Sequence, residues 1–399
     1  MVKAVLLFLH RWLGIISGLV VFIVSITGCI FVFEEELFRV FHQNIVYVKP
    51  GEQLVDINEL KKAAQASIGS DKNISVVFID DAADRAYCFS AFERNAKSTS
   101  MWDKDEIKYF YQVFVNPYTG AVLGVVDKET EFFYVVRRIH QNLLLRRDIG
   151  NMIVGSSTLI FLVILISGIV LWWPQRMAGL KQRLTVKLRA RWRRVNYDLH
   201  SVFGFYIFLI AMIIASTGLV WSFDWWENGI YSMLGSSKKD AKFLTQRDTT
   251  YTASERGVTL AWRDALNRYQ EFERMSFNFP TSKNSRAGAF VQYEGPSAWT
   301  DTDYIYYNGA DGKVTQIVPH ESKSVGMKWR NTNYGIHTGK LYGWPTQLLA
   351  VVVSLVCASL PVTGVILWLG RKKKNAMPVK KQKSLQPRPR VRARSNQLT

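Results

Sequence analysis

Four stretches of this sequence, residues 13–33, 152–173, 202–223 and 348–369, run for 21 or 22 residues without one charged side chain. About 20 apolar residues wound as a helix cross the ~30 Å hydrocarbon core of a bilayer. A spanning segment has no water to bond its backbone, so runs of this length are expected to be helical. Residues 13–33 are too long for a secretory signal, and Glu34-Glu35-Glu36 is a poor cleavage context, so the first run reads as a retained helix. The two long segments between runs, about 34–150 and 225–343, then lie outside the bilayer.

Charge orients the spans. The 399 residues carry 51 Lys and Arg against 32 Asp and Glu, a formal net charge of +19. The surplus is local. Lys3, Arg11, eight bases in 174–195 and eleven in 371–399 make 21, and none of those segments holds an acid. The rest of the chain has 30 bases and 32 acids. Under the positive-inside rule both termini and the middle loop are cytosolic, and the two long segments face the other side. The basic tail, 371–399, is expected to be disordered and to contact anionic lipid, so membrane lipids are expected partners and nucleic acid is not. The three cysteines, Cys29, Cys88 and Cys357, form no disulfide framework, zinc knuckle or C-x-x-C-H haem attachment, so any haem is bound non-covalently.

The chain repeats. "LHRWLGIISGLVVFIVSITGCIFVFEEE" aligns without a gap on "LHSVFGFYIFLIAMIIASTGLVWSFDWWE", placing His10 on His200, Gly14 on Gly204 and Thr27-Gly28 on Thr217-Gly218. "SGIVLWWPQR" likewise matches "TGVILWLGRK", Gly168 on Gly364 and Trp172 on Trp368. The segments "RRIHQNLL" and "YGIHTGKL" put His140 on His337. Helix, external segment, helix and cytosolic loop therefore occur twice, a parallel repeat with its pseudo-twofold along the membrane normal. Each external segment has a polar helical stretch, "DINELKKAAQAS" or "TLAWRDALNRYQEF", ahead of a strand-turn-strand, "YFYQVFVNPYTGAVLGVV" or "DYIYYNGADGKVTQIV". The expected fold is an α+β membrane protein: four transmembrane helices in two parallel repeats, with two small α+β domains outside. Trp172, Trp173, Trp221, Trp225, Trp226, Trp344 and Trp368 read as an interfacial belt.

Four of the six histidines belong to the repeat. His10 and His200 lie at the cytosolic ends of the first and third runs; His140 and His337 lie on the external side, ahead of the second and fourth. Two axial His nitrogens on one metal are roughly 4 Å apart, so a cytosolic His cannot share an ion with an external one across the ~30 Å core. The pairing is His10 with His200 and His140 with His337. Zinc would need further Cys, His or carboxylate ligands that the apolar runs lack. A porphyrin fills an equatorial plane itself, so the expected cofactors are two bis-His b-type haems, one near each face. Small residues at Gly14, Gly18, Gly28, Gly204 and Gly218 leave room for a flat macrocycle or simply pack helices closely. Arg11, Arg138, Arg194 and Lys340, close in sequence to the ligands, are open to haem propionates or to lipid headgroups. His42 and His320 read as ordinary surface residues.

At "LHRWLG…SGLVVFIVSITGC", "IHQNLL", "DLHSVFGF", "SGIVLWWP" and "VNPYTGAVLG" the chain resembles the PepSY-associated transmembrane family, over essentially all of its length except the tail. Similar members include iron-regulated inner-membrane proteins and FoxB-type ferrisiderophore reductases. The resemblance implies a multi-pass protein of the bacterial inner membrane, with two haems b and PepSY-like α+β domains in the periplasm. It further implies an oxidoreductase that reduces ferric siderophore there, releasing Fe(II) for iron transport. In these terms the chain divides into transmembrane helix 1–33, periplasmic domain 34–147, helix 148–173, cytosolic loop 174–197, helix 198–224, periplasmic domain 225–343, helix 344–370 and tail 371–399. No nucleotide fingerprint follows a strand, so the electron donor is expected to be a separate cytosolic reductase or quinol. Two alternatives stay open: a haem-containing electron-transfer subunit serving another periplasmic acceptor, and a non-enzymatic regulatory or signalling protein.

Overall fold

The computed structural model describes residues 2–293 and 301–376. Along the chain come α1 (Val2–Phe31), α2 (Glu34–Phe41), α3 (Gln43–Val46), α4 (Ile57–Ile68), β1 (Ile74–Asp80), β2 (Tyr87–Arg94), β3 (Ile107–Val115), β4 (Val122–Asp127), α5 (Phe132–Asn142) and α6 (Arg147–Trp172). A second series follows: α7 (Leu180–Arg183), α8 (Trp192–Gly218), α9 (Asp224–Met233), α10 (Glu255–Arg268), β5 (Arg274–Asn278), β6 (Arg286–Gln292), β7 (Thr302–Asn308), β8 (Val314–Val318), α11 (Val325–Thr338) and α12 (Trp344–Ala376). Residues 377–399 of the basic tail, expected to be disordered, lie outside the described residues.

Four helices, Val2–Phe31, Arg147–Trp172, Trp192–Trp221 and Trp344–Gly370, are long and apolar enough to cross a membrane. They close a ring in which α1 packs on α6 and α12, and α8 packs on the same two. Each starts before its charge-free run, so His10 and His200 lie within α1 and α8. α5 lies against α1 and α6, and α11 against α8. These two shorter helices carry His140 and His337.

The eight strands form one antiparallel sheet in the order β4-β3-β2-β1-β5-β6-β7-β8. The strands of the two long segments that lie between spans thus meet edge to edge. β1 pairs with β5 so that Val77 faces Phe277 and Asp80 faces Arg274. Joining here satisfies the edge hydrogen bonds that two separate four-stranded sheets would each leave open. One face of the sheet packs on α4 and α10 around Ile57, Leu60, Phe89, Trp262, Phe277 and Tyr307. Asp56 and Ser254 cap those helices by accepting from Asn58 N–H and Gly257 N–H. The two outer turns are built alike: Asn116 Oδ1 accepts from Tyr118 and Thr119 N–H before Gly120 (φ 72°), and Asn308 Oδ1 accepts from Ala310 N–H before Gly312 (φ 74°). Both glycines take the left-handed conformation that a Cβ disfavours.

At the central seam Arg274 bonds both Asp80 (3.1 Å) and Glu35 (3.1 Å), and Lys340 reaches Glu35 at 3.0 Å. The seam therefore ties the sheet to α2, which follows the first span, and to the turn that precedes the fourth. Burial pushes the Glu35 carboxyl up, but Arg274 and Lys340 outweigh it and hold the group well below the usual carboxylate range.

Candidate functional site

Each of the four long helices contains a hydroxyl residue followed by glycine: Thr27-Gly28 in α1, Ser167-Gly168 in α6, Thr217-Gly218 in α8 and Thr363-Gly364 in α12. Each pair receives one histidine. The Cε1 atoms of His140 and His337 lie 3.1 and 3.0 Å from where a Cβ on Gly28 and Gly218 would stand, and those of His10 and His200 lie 3.3 Å from the same point on Gly168 and Gly364. An alanine at any of the four would press on the ring. The expectation that Gly28 and Gly218 leave room for a macrocycle is corrected here, because the imidazoles fill that room. Gly18 meets Pro361, Gly204 faces Leu360, and Gly14 has nothing within 4 Å.

The hydroxyl and its helix fix each ring. His140 Nδ1 lies 2.8 Å from the Val24 carbonyl and 3.2 Å from Thr27 Oγ1; His337 Nδ1 lies 2.9 Å from the Ile214 carbonyl and 3.1 Å from Thr217 Oγ1. His10 and His200 hold Ser167 Oγ and Thr363 Oγ1, each at 2.9 Å. All four hydroxyls donate their own hydrogen to a helix carbonyl three or four residues back, which leaves them acceptors. A carbonyl and a committed hydroxyl can only accept, so Nδ1 carries the proton and Nε2 the lone pair. Burial pushes His140 and His337 below the ordinary imidazole value, with His140 adding to the effect at His337, which falls to about 4. Both are neutral at pH 7. Among the described residues no hydrogen bond engages Nε2 of any of the four.

The rings pair as distance required. His10 and His200 have ring centres 6.3 Å apart at an interplanar angle of 86°; His140 and His337 are 6.0 Å apart at 68°. Two nitrogens about 2 Å either side of one iron stand about 4 Å apart, and half a ring on each side brings the centres to about 6 Å. An ordinary edge-to-face contact also fits that spacing. What favours metal ligation is the shared orientation: Nδ1 anchored to helix oxygen and Nε2 unbonded, the arrangement that orients a ligating His. No group of three or more His, Cys, Asp or Glu among the described residues is placed to hold a metal ion. The pairs are separated by the 18 residues from His10 to Gly28 on one helix, about 27 Å at 1.5 Å per residue.

His140 and His337 line a cavity of about 590 Å³ that runs from Val20 and Cys357 between the spans to Phe92 and Arg94 at the sheet. Its volume suits an organic cofactor. Of the predicted basic residues, Arg138 lines this cavity and pairs with buried Asp103 at 3.0 Å. Arg11 lies over the rings of Phe8 and Trp12, with its Nε buried and unbonded among the described residues. Arg194 and Lys340 find carboxylates within the chain, Asp198 at 2.9 Å and Glu35 at 3.0 Å. Residues that sequence reasoning passed over are Ser167, Thr363 and Arg137; the hydroxyl-glycine pairs were visible in all four spans, but Gly168 and Gly364 read only as repeat matches, and Gly28 and Gly218 as room for a macrocycle or helix packing.

The tryptophans divide. Trp173, Trp225 and Trp344 are exposed, as a belt requires, whereas Trp172 is buried and stacks on Phe205 at 3.8 Å. Trp221 packs edge-on to His337 at 5.3 Å inside the cavity. His42 and His320 are half-buried, the first stacked on Phe38 and the second 3.3 Å from Asp301.

The family model described as PepSY-associated TM region matches residues 7–371. The chain belongs to this family. No curated protein matches the chain. The match takes in all four long helices, both histidine pairs and the whole sheet, so the site is part of the PepSY-associated TM region itself.

Proposed function

We propose that this PepSY-associated membrane protein carries electrons across the bacterial inner membrane and reduces ferric siderophore on the sheet side. One b-type haem is held by His10 and His200, the other by His140 and His337. The observation that carries the reading is that four rings, paired at 6.3 and 6.0 Å, are all anchored by Nδ1 and leave Nε2 unbonded among the described residues. Bound there, haem supplies one-electron transfer near each face. The chain's own part would be to offer the Nε2 nitrogens, fix their tautomer through the hydroxyl-glycine pairs, and wrap the sites in apolar helix.

The basic segments at 174–195 and 371–399 support a cytosolic His10 end and a periplasmic sheet. Two parallel repeats account for the strand order running outward from the β1/β5 seam and for one docking pair per span. A cytosolic reductase or quinol gives one electron, and Fe(III) in the siderophore accepts it to become Fe(II). The hard oxygen donors of a siderophore suit the trivalent ion, so reduction loosens the metal and frees it for uptake. FoxB-type ferrisiderophore reduction is the activity this reading assigns.

Purified protein reduced with dithionite should show bis-His b-type bands at two haems per chain, and ferric siderophores should reoxidise it with release of Fe(II). A haem-free protein would favour the regulatory reading; a haem protein that ferric chelates leave reduced would favour a different periplasmic acceptor.

A further inference from the structure

Among the described residues, every charged side chain lining the sheet-side cavity, the two histidines apart, comes from the first half of the chain: Arg94, Asp103, Glu106, Arg137, Arg138 and Arg147. The matching positions in the second half are uncharged where the His140-to-His337 offset extends: Arg137 corresponds to Tyr334, Arg138 to Gly335 and Arg147 to Trp344. The two carboxylates are engaged. Asp103 pairs with Arg138 and accepts from Asn142, and Glu106 accepts from the Arg147 backbone N–H. Arg137 is different. It lies 4.6 Å over the Tyr134 ring, with Glu34 as a neighbouring charge, and its Nε is buried without a hydrogen-bond partner among the described residues. Arg138 Nη1 is likewise buried and unbonded. Arg137 as a residue is half-buried, and a buried N–H donor left unused, as on each of these two arginines, is costly unless an acceptor arrives. Toward Val20, Phe161 and Val353 the same cavity is apolar.

The symmetric histidine pair therefore sits in an asymmetric cavity, apolar at the membrane side and cationic on one flank. We propose that Arg137, with Arg138 beside it, binds the carboxylate edge of the planar group held by His140 and His337, and so admits that group in one orientation only. The inference rests on the haem reading and adds to it the residues that select a free acid and the half of the chain that supplies them.

The test is uptake and retention, not turnover. The His10→Ala/His200→Ala background isolates the sheet-side site, and protohaem is compared there with its dimethyl ester, which keeps the ring and loses both charges. With Arg137 intact, the free acid should be held about tenfold more tightly than the ester, the usual scale for a charge-assisted bond. Arg137→Gln should abolish that preference by weakening the acid alone, and Arg137→Lys should restore part of it. In the full-length chain with all four histidines, an unchanged far-side spectrum in Arg137→Gln shows that the variant is folded. Equal binding of acid and ester with Arg137 intact, or a full preference surviving Arg137→Gln, overturns this proposal and leaves the haem reading standing. A chain that takes up neither form overturns both.

Discussion

His140 and His337 open onto a cavity with arginines on one flank, while His10 and His200 lie about 27 Å away along α1, in a stretch where Arg11 rests on the rings of Phe8 and Trp12. The anchoring is the same at both ends: a hydroxyl-glycine pair accepts the ring, and helix oxygens hold Nδ1. The surroundings are not. Placement of the ring belongs to the span and is written four times. What each pair can meet depends on neighbours that occur once. Two sites can therefore share a ligand geometry and still differ in partner.

The comparison breaks most sharply at the histidines. His337→Ala should remove one of two haems and leave the far-side spectrum intact, and His10→Ala should do the reverse; the haem-to-protein ratio reads both. If one substitution empties both ends, or neither changes the ratio, the pairs are not independent sites. Next come the glycines. Gly218→Leu and Gly168→Leu drive a side chain into the ring of His337 or His10 and should each cost the haem on that side alone, whereas Gly14→Ala, in open space, should change nothing.

Smaller effects sharpen the contrast. Thr363→Val and Thr217→Val each remove a hydroxyl from a ring Nδ1, at 2.9 and 3.1 Å, and each leaves a helix carbonyl behind, Leu360 for His200 and Ile214 for His337. Loss of an outer-shell partner costs about 10–100-fold in affinity. Both variants should fall below that range, as measured by haem release; a full loss in either would mean that the hydroxyl alone holds that ring. Glu35→Gln should destabilise the sheet side by about 1–3 kcal/mol, since it strips a partner from buried Lys340 while half-exposed Arg274 keeps Asp80. Because the Glu35 carboxyl is held below its unfolded value of 4.5, its contribution is present above that pH and is lost as pH falls through the folded value. Thermal unfolding of the parent chain should therefore weaken more on acidification than that of Glu35→Gln, and parallel curves would remove the seam from the account.

Several features were open to a reading along the chain. Span length follows from bilayer thickness, and the pairing of His10 with His200 follows from a distance no ion can bridge. Others were not. The single sheet depends on Asp80 meeting Arg274 across 194 residues of chain. The fates of Arg194 and Lys340 depend on Asp198 and Glu35, the second of them more than 300 residues away. Gly28 and Gly218 look in sequence like any close-packing glycine, because nothing local says that a histidine from another helix will occupy the space.

By itself, then, the sequence determined four apolar helices and which histidines can share a site, because a bilayer imposes length and depth on the chain residue by residue. Only the tertiary structure decided that each imidazole docks on a hydroxyl-glycine pair, that the strands make one sheet, and that Arg137 lines a cavity with a donor unspent. Those outcomes depend on which surfaces meet once the helices and strands have packed.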